Sequence, residues 1–289
     1  MSQWRLLDPM MNSNLVFKQL SVLILLAAFS CSGLEKISSA AVFPLRTAAV
    51  DHAYYHSTWD YEDGLPQNTV LAVLQTSDGY LWLGTLRGLA RFDGLRFAIF
   101  DQKNVPEIKD RAITCLCETP DGSLWFGTGH GGLNRFKKGN FFHYGKSDGL
   151  IGESIQTLFQ GDDGTLWIST TNGVCSYKEG KFSPFSAPDW TAGNAVRSIG
   201  QDAGGSLWFM NTSGLHRVTN GVIETIPPLI EGRRRSGISV LIDHTGNFWM
   251  GTMDGLTCRK KDGTFTSYTT KEGLPNNIVN ALLEDRDGN

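Results

Sequence analysis

The chain has 289 residues, 26 basic against 29 acidic side chains and a formal charge of −3. A scattered, mildly acidic charge excludes the basic footprint of a nucleic-acid-binding module, and 40% hydrophobic residues exclude a disordered chain. Glycine is the outlier, 33 residues beside only 10 prolines, about 11% against a usual 7% or so, which points to many short strands joined by glycine turns.

In chain order, Lys18 precedes an apolar run from Leu20 to Phe29, and small residues follow up to Ser38, Ser39 and Ala40. This is the pattern of a secretory signal peptide over residues 1–40, cleaved after Ala40. Ser30 and Ser32 offer an earlier site, and Met11 is an alternative start. Phe29 spoils the likeness of Ala28-Phe29-Ser30-Cys31 to a lipoprotein cleavage site. The run is half the roughly 20 residues a spanning helix needs, so an exported, periplasmic domain is expected. Residues 41–58 form a lead-in. Cys115, Cys117, Cys175 and Cys258 remain, and an oxidising compartment would allow them to pair.

From residue 59 to residue 289 the chain repeats itself. Asp78-Gly79-Tyr80-Leu81-Trp82-Leu83-Gly84-Thr85 is echoed by Asp121-Gly122-Ser123-Leu124-Trp125-Phe126-Gly127-Thr128, then around Trp167, Trp208 and Trp249, at tryptophan spacings of 43, 42, 41 and 41. Glycine dipeptides cut each unit into four apolar or alternating segments of strand length. The cuts are Asp78-Gly79 and its kin, Arg87-Gly88 and its kin, and Asp93-Gly94, Lys138-Gly139, Glu179-Gly180, Asn220-Gly221 and Asp262-Gly263. Type I′ hairpins are predicted at these cuts. Three hairpins make a four-stranded antiparallel unit that cannot cover both its faces alone, and radial stacking of such units gives an all-β propeller. Five complete blades and the start of a sixth are expected.

Two columns support the stacking. Ala72, Cys115, Thr157, Ser198, Ser239 and Ala281 are all small, as crowding near an axis would require, and the next column is always aliphatic. The four cysteines fall in strands and read as core fillers rather than metal ligands. The tryptophan column reads as inter-blade packing rather than a set of sugar-stacking platforms.

The stretch Trp59 to Phe100, and Glu272-Gly273-Leu274-Pro275-Asn276-Asn277 leading into Ile278 to Asp285, resemble the repeat of the two-component regulator propeller family. The resemblance covers residues 54 to 289 or so. It lapses at Ser169, where the family has Gly, and in the fourth unit at Gly204 for Asp and Asn211 for Thr. It implies a seven-bladed propeller, often in tandem, serving as the periplasmic sensor of a membrane protein whose output is a histidine kinase, a hybrid kinase or a diguanylate cyclase. It also implies an extracytoplasmic ligand, with saccharide fragments as a plausible class, and a membrane-anchored parent that forms homodimers. The sixth unit stops at Asp287-Gly288-Asn289, so the sequence reads as an N-terminal fragment.

No catalytic residue, metal site or cofactor is assigned, and the ligand-binding residues are unknown. His52, His56, His130, His143, His216 and His244 are scattered over different units, His216 reading as a half-buried strand residue. Gly127-Thr128-Gly129-His130-Gly131-Gly132 touches a phosphate-loop pattern, but a strand follows it instead of the helix a dinucleotide site needs, so it reads as a hairpin with one inserted residue. The least repetitive connections carry Trp190, beside Asp189, and Arg233-Arg234-Arg235. Stacking on a sugar and gripping an acidic ligand are what these groups could do, while a capping hydrophobe and a solvated basic loop are the plainer readings. The leading expectation is the input domain of a sensor histidine kinase. The alternatives are a free exported binding or scaffold propeller, the sensor of a diguanylate cyclase and, by fold analogy only, an enzyme.

Overall fold

The computed structural model describes residues 57–185, 195–211, 214–226, 229–230, 233–234, 237–284 and 288. The signal segment, most of the lead-in, Trp190 and Arg235 lie outside the described residues.

Five four-stranded antiparallel sheets follow one another. Blade 1 is β1 (Val70–Gln75), β2 (Leu81–Thr85), β3 (Gly88–Phe92) and β4 (Phe97–Phe100). Blade 2 is β5 (Ile113–Glu118), β6 (Leu124–Thr128), β7 (Leu133–Lys137) and β8 (Asn140–Tyr144). Blade 3 is β9 (Ile155–Gln160), β10 (Leu166–Thr170), β11 (Gly173–Lys178) and β12 (Lys181–Pro184). Blade 4 is β13 (Ser198–Gln201), β14 (Leu207–Asn211), β15 (Gly214–Thr219) and β16 (Val222–Ile226). A small hairpin, β17 (Leu229–Ile230) with β18 (Arg233–Arg234), precedes blade 5: β19 (Gly237–Ile242), β20 (Phe248–Thr252), β21 (Gly255–Arg259) and β22 (Phe265–Tyr268). Strand order in every blade is sequential. The first strands of successive blades neighbour one another, which makes them the inner strands of a propeller.

The predicted type I′ turn is found at the third cut of blades 2, 3 and 4, where Lys138, Glu179 and Asn220 take positive φ with the glycine after them. At Asp93 and Asp262 the loop is longer. There the aspartate keeps ordinary φ, and its carboxylate accepts backbone N–H groups, from Leu95 and Arg96 in one case and Thr264 in the other. The first cut is also not type I′: Gly79 N–H donates to Thr76 O at 2.8 Å, with only the glycine left-handed.

The seams between blades are the core. Trp82 packs on Phe136 of the next blade with centroids 5.3 Å apart, Trp125 on Tyr177 at 4.9 Å, Trp167 on Phe209 at 6.1 Å and Trp208 on Phe248 at 4.5 Å. Trp82 and Trp125 are 2% exposed, so at these four seams the tryptophan is inter-blade packing. The small column has a local cause besides the axis. Ala72, Cys115 and Ser239 pair across the ladder with Gly84, Gly127 and Gly251, and the start of the next inner strand enters at that spot. A Cβ on Gly127 would lie 2.5 Å from Cβ of Ile155 and 2.7 Å from Sγ of Cys115. Ser169 uses the same contact: its hydroxyl donates to Val196 O at 2.7 Å.

Among the described residues all four cysteines are free; Cys115, Cys175 and Cys258 are buried. Burial pushes the Cys115 thiol up to about 11 and Cys117 up to about 12, so both are protonated and inert as nucleophiles. The expected start of a sixth blade forms no strand among the described residues. Residues 278–284 lie against blade 5, with Val279 N–H donating to Thr252 O at 2.9 Å, but no strand pairs with them among the described residues, and a ladder needs two partners.

Candidate binding face at the blade connections

One rim of the propeller gathers the turns between second and third strands with the connections that cross to the next blade. The residues most repeated in sequence on this rim are taken up by the backbone. Asp63 accepts from Asp60 N–H at 2.9 Å, Asp148 from Gly145 N–H at 2.8 Å and Glu272 from Thr269 N–H at 2.7 Å, so the acid before each Gly-Leu closes its own loop. Leu65 and Leu150 of the same motif are buried. The threonine that ends the second strand behaves likewise. The Thr85, Thr128, Thr170 and Thr252 hydroxyls donate to the carbonyls of Gly88, Gly132, Gly173 and Gly255 at 2.8–3.2 Å.

Among the described residues, blade 2 is the most elaborate part of this rim. The glycine-rich turn 129–132 carries the one extra residue expected of it and is no phosphate loop. Asp110, on the connection from blade 1, accepts from His130 N–H at 2.7 Å, and Gly132 N–H donates to Glu153 O at 2.8 Å on the connection to blade 3. The turn is thus tied to both neighbouring connections. Lys109, Asp110, His130, His143, Asp148 and Glu153 bring mixed charge to this end of the blade. His143 is held below the ordinary imidazole range, first by burial and then by Lys109, against the opposing pull of Asp148 and Glu153. It is therefore neutral at pH 7. On the seam between blades 1 and 2, an open cleft of about 450 Å³ is lined by Ile99, Phe100, Asn104, Val105, Glu107, Gly139, Asn140 and Phe141.

His216 in blade 4 is buried, not half-buried. Its Nδ1 lies 3.0 Å from Thr225 Oγ1 and its Nε2 3.1 Å from Asn211 Oδ1. Burial holds its pKa down. Arg233 and Arg234 sit on β18 of the small hairpin, on the connection into blade 5. His130 and His143 lie toward the same end of blade 2, whereas His216 and His244 lie elsewhere. Among the described residues no group of three or more His, Cys, Asp or Glu side chains is placed to hold a metal ion. Sequence reasoning missed Asp110 and Asn134. Asn134 was visible as a polar residue in a strand column otherwise filled by Ala90, Cys175, His216 and Thr257; nothing local marks Asp110.

Residues 64–87, 107–130 and 149–172 match the family model described as two component regulator propeller. No curated protein matches the chain in sequence. Among solved structures, the chain resembles an extracellular domain from B. thetaiotaomicron ascribed to a one component system (TM-score 0.65, 21% identity), over 78% of this chain and 31% of that one. An extracellular domain of the same organism ascribed to a hybrid two component system gives 0.65 and 23%, over 73% and 31%. The virginiamycin B lyase of Staphylococcus aureus gives 0.56 and 18%, over 71% of each chain. At these identities the likeness is one of fold, and the chain spans about a third of the two extracellular domains. No helix among the described residues is long and apolar enough to cross a membrane.

Proposed function

The chain carries two component regulator propeller repeats, and from that premise we propose that it is the extracytoplasmic input region of a signal-transduction protein. The finer proposal is a periplasmic sensor whose signal peptide is residues 1–40, whose ring closes with seven blades and whose parent is a membrane-anchored, dimeric histidine kinase. The observation that carries the reading is the family match on three successive repeats; the shared fold with two extracellular domains supports it. The physical arrangement agrees. Motif acids and threonines are spent on closing loops, which leaves the connections to vary on a rigid scaffold, as binding surfaces do.

Two experiments test it. An alkaline phosphatase reporter joined after Asn289 is expected to be active only with residues 1–40 present; activity without them removes the export claim. Reading the gene past codon 289 is expected to reveal a transmembrane segment followed by a kinase core. A diguanylate cyclase core there would keep the sensor and replace the output, and the absence of any output domain would favour a free binding propeller.

A further inference from the structure

Asn134 on β7 and His143 on β8 are cross-strand partners, and Asn134 also pairs with Phe126. All three therefore face blade 1, where Phe126 and Phe141 pack with Val105 and Ile108 of the covering connection. Asn134 is 0% exposed, yet neither its Nδ2 nor its Oδ1 has a protein partner, and His143 Nδ1 beside it is likewise buried and unpartnered. Buried polar groups are normally bonded to protein or to ordered water, so three unpartnered ones on adjoining positions of one face call for a guest.

Blade 4 shows what chemistry fills it. There the histidine stands on the third strand and its cross-strand partner is Thr225, whose hydroxyl meets His216 Nδ1 at 3.0 Å. A hydroxyl both donates and accepts, which suits a neutral imidazole whichever tautomer is present. Blade 2 has a histidine and a carboxamide in these two places, and neither supplies the hydroxyl.

We propose that the seam between blades 1 and 2 is a binding site for a small hydroxyl-bearing guest held by Asn134 and His143 beneath the connection of residues 101–112. Water and a small diol share that chemistry. The open cleft on the same seam is lined by Phe141, two residues from His143 on β8, and by Val105 and Glu107 of the connection.

The test uses the whole chain with its asparagine and histidine nitrogens labelled for NMR. A long-lived water cross-peak from the Asn134 carboxamide, unchanged by 1,2-propanediol, supports the site with water as its guest. A saturable shift of His143 Nδ1 as 1,2-propanediol is added supports it with a diol. Neither signal, or a direct coupling between Asn134 and His143, overturns the proposal. The double variant Asn134→His with His143→Thr transplants the blade 4 arrangement and is expected to lose either signal while retaining the fold; survival of the signal also overturns it. The wild-type measurement decides alone if that variant does not fold.

Discussion

Blades 2 and 4 perform the same bonds with different residues. In blade 2 the indole N–H of Trp125 donates to Thr119 Oγ1 at 3.2 Å, and that hydroxyl donates to Asp121 at 2.7 Å. In blade 4 glycine stands where that aspartate should be, and Trp208 donates directly to Asp202, two residues earlier, at 2.9 Å. Blade 5 does the same through Asp243 at 2.8 Å. Thr128 caps its turn through its hydroxyl, bonded by Gly131 N–H at 2.9 Å, and Asn211 caps through its carboxamide oxygen, bonded by Gly214 N–H at 3.1 Å. The difference teaches that the repeat conserves a set of satisfied donors and acceptors, and that residue identity follows from it. A family model built on residue identity accordingly matches the first three blades.

The comparison breaks most forcefully at the shared tryptophan. Trp125→Ala and Trp208→Ala are each expected to cost about 3–5 kcal/mol, read as a fall in the urea midpoint of unfolding. A small effect at either would mean that this blade packs without its seam residue. Next comes the residue two beyond. Gly127→Ala puts a methyl 2.5 Å from Ile155 Cβ and is expected to cost about 1–3 kcal/mol by overpacking. In blade 4 the same place is held by Met210, 3% exposed, and Met210→Gly should destabilise through a cavity instead. Equal tolerance of both changes would show that the seams have no fixed spacing.

At the turn, Asn211→Ala is expected to cost about 1–2 kcal/mol, since Gly214 N–H and His216 lose an acceptor, and Asn211→Thr is expected to recover part of it. Thermal unfolding of both variants checks this, and equal loss in both would show that the carboxamide does more than cap.

Much of the fold was legible. The tryptophan spacing gave the blades, because a strand ladder with one large side chain per unit leaves an unmistakable period. The turn types were only half legible: Asp-Gly suits both a type I′ turn and a longer loop in which the carboxylate gathers N–H groups, and Asp93 takes the second course. The departures at Gly204 and Asn211 read as lapses because the residues that make the bonds there, Asp202 and His216, sit at other places in the repeat. The site at Asn134 was hidden for a different reason. A buried polar residue looks the same in sequence whether or not it has a partner, and only the pairing of β7 with β8 shows the lack.

A smaller effect separates the seams at the opposite rim. Ser77 N–H donates to Glu118 at 2.8 Å between blades 1 and 2, and Asp162 N–H to Gln201 at 2.9 Å between blades 3 and 4. His244 N–H, with its ring, meets Glu284 beyond blade 5. Between blades 2 and 3 the donor's place is held by Pro120, which has no N–H, and Gln160 Oε1 is buried without a partner. Pro120→Ala is therefore expected to stabilise by about 1 kcal/mol, a gained buried hydrogen bond outweighing the freer unfolded chain. A lower urea midpoint in the variant would show that proline's rigidity is worth more than the bond.

The smallest effect is a pH dependence that sets Asp163 of blade 3 apart from Asp202. Lys178 donates to the Asp163 carboxylate at 2.8 Å, and Thr165 adds bonds at 2.8 and 3.0 Å; together they hold its pKa down at about 2 against an ordinary 3.8. A depressed folded pKa contributes stability that is whole above the unfolded value and is lost as pH falls through the folded one. The window is therefore about pH 4 down to pH 2. Because the side chain is 58% exposed, solvent screening reduces the contribution to about a few tenths of a kcal/mol. Asp163→Asn should thus lie slightly below wild type in urea midpoint at pH 5, and the gap should narrow by pH 2 and in high salt. A gap independent of pH would assign the stabilisation to the neutral turn bonds that asparagine also makes. Asp202 carries the indole bond of Trp208 and is 21% exposed, so Asp202→Asn should keep a deficit at pH 5 that salt screens less.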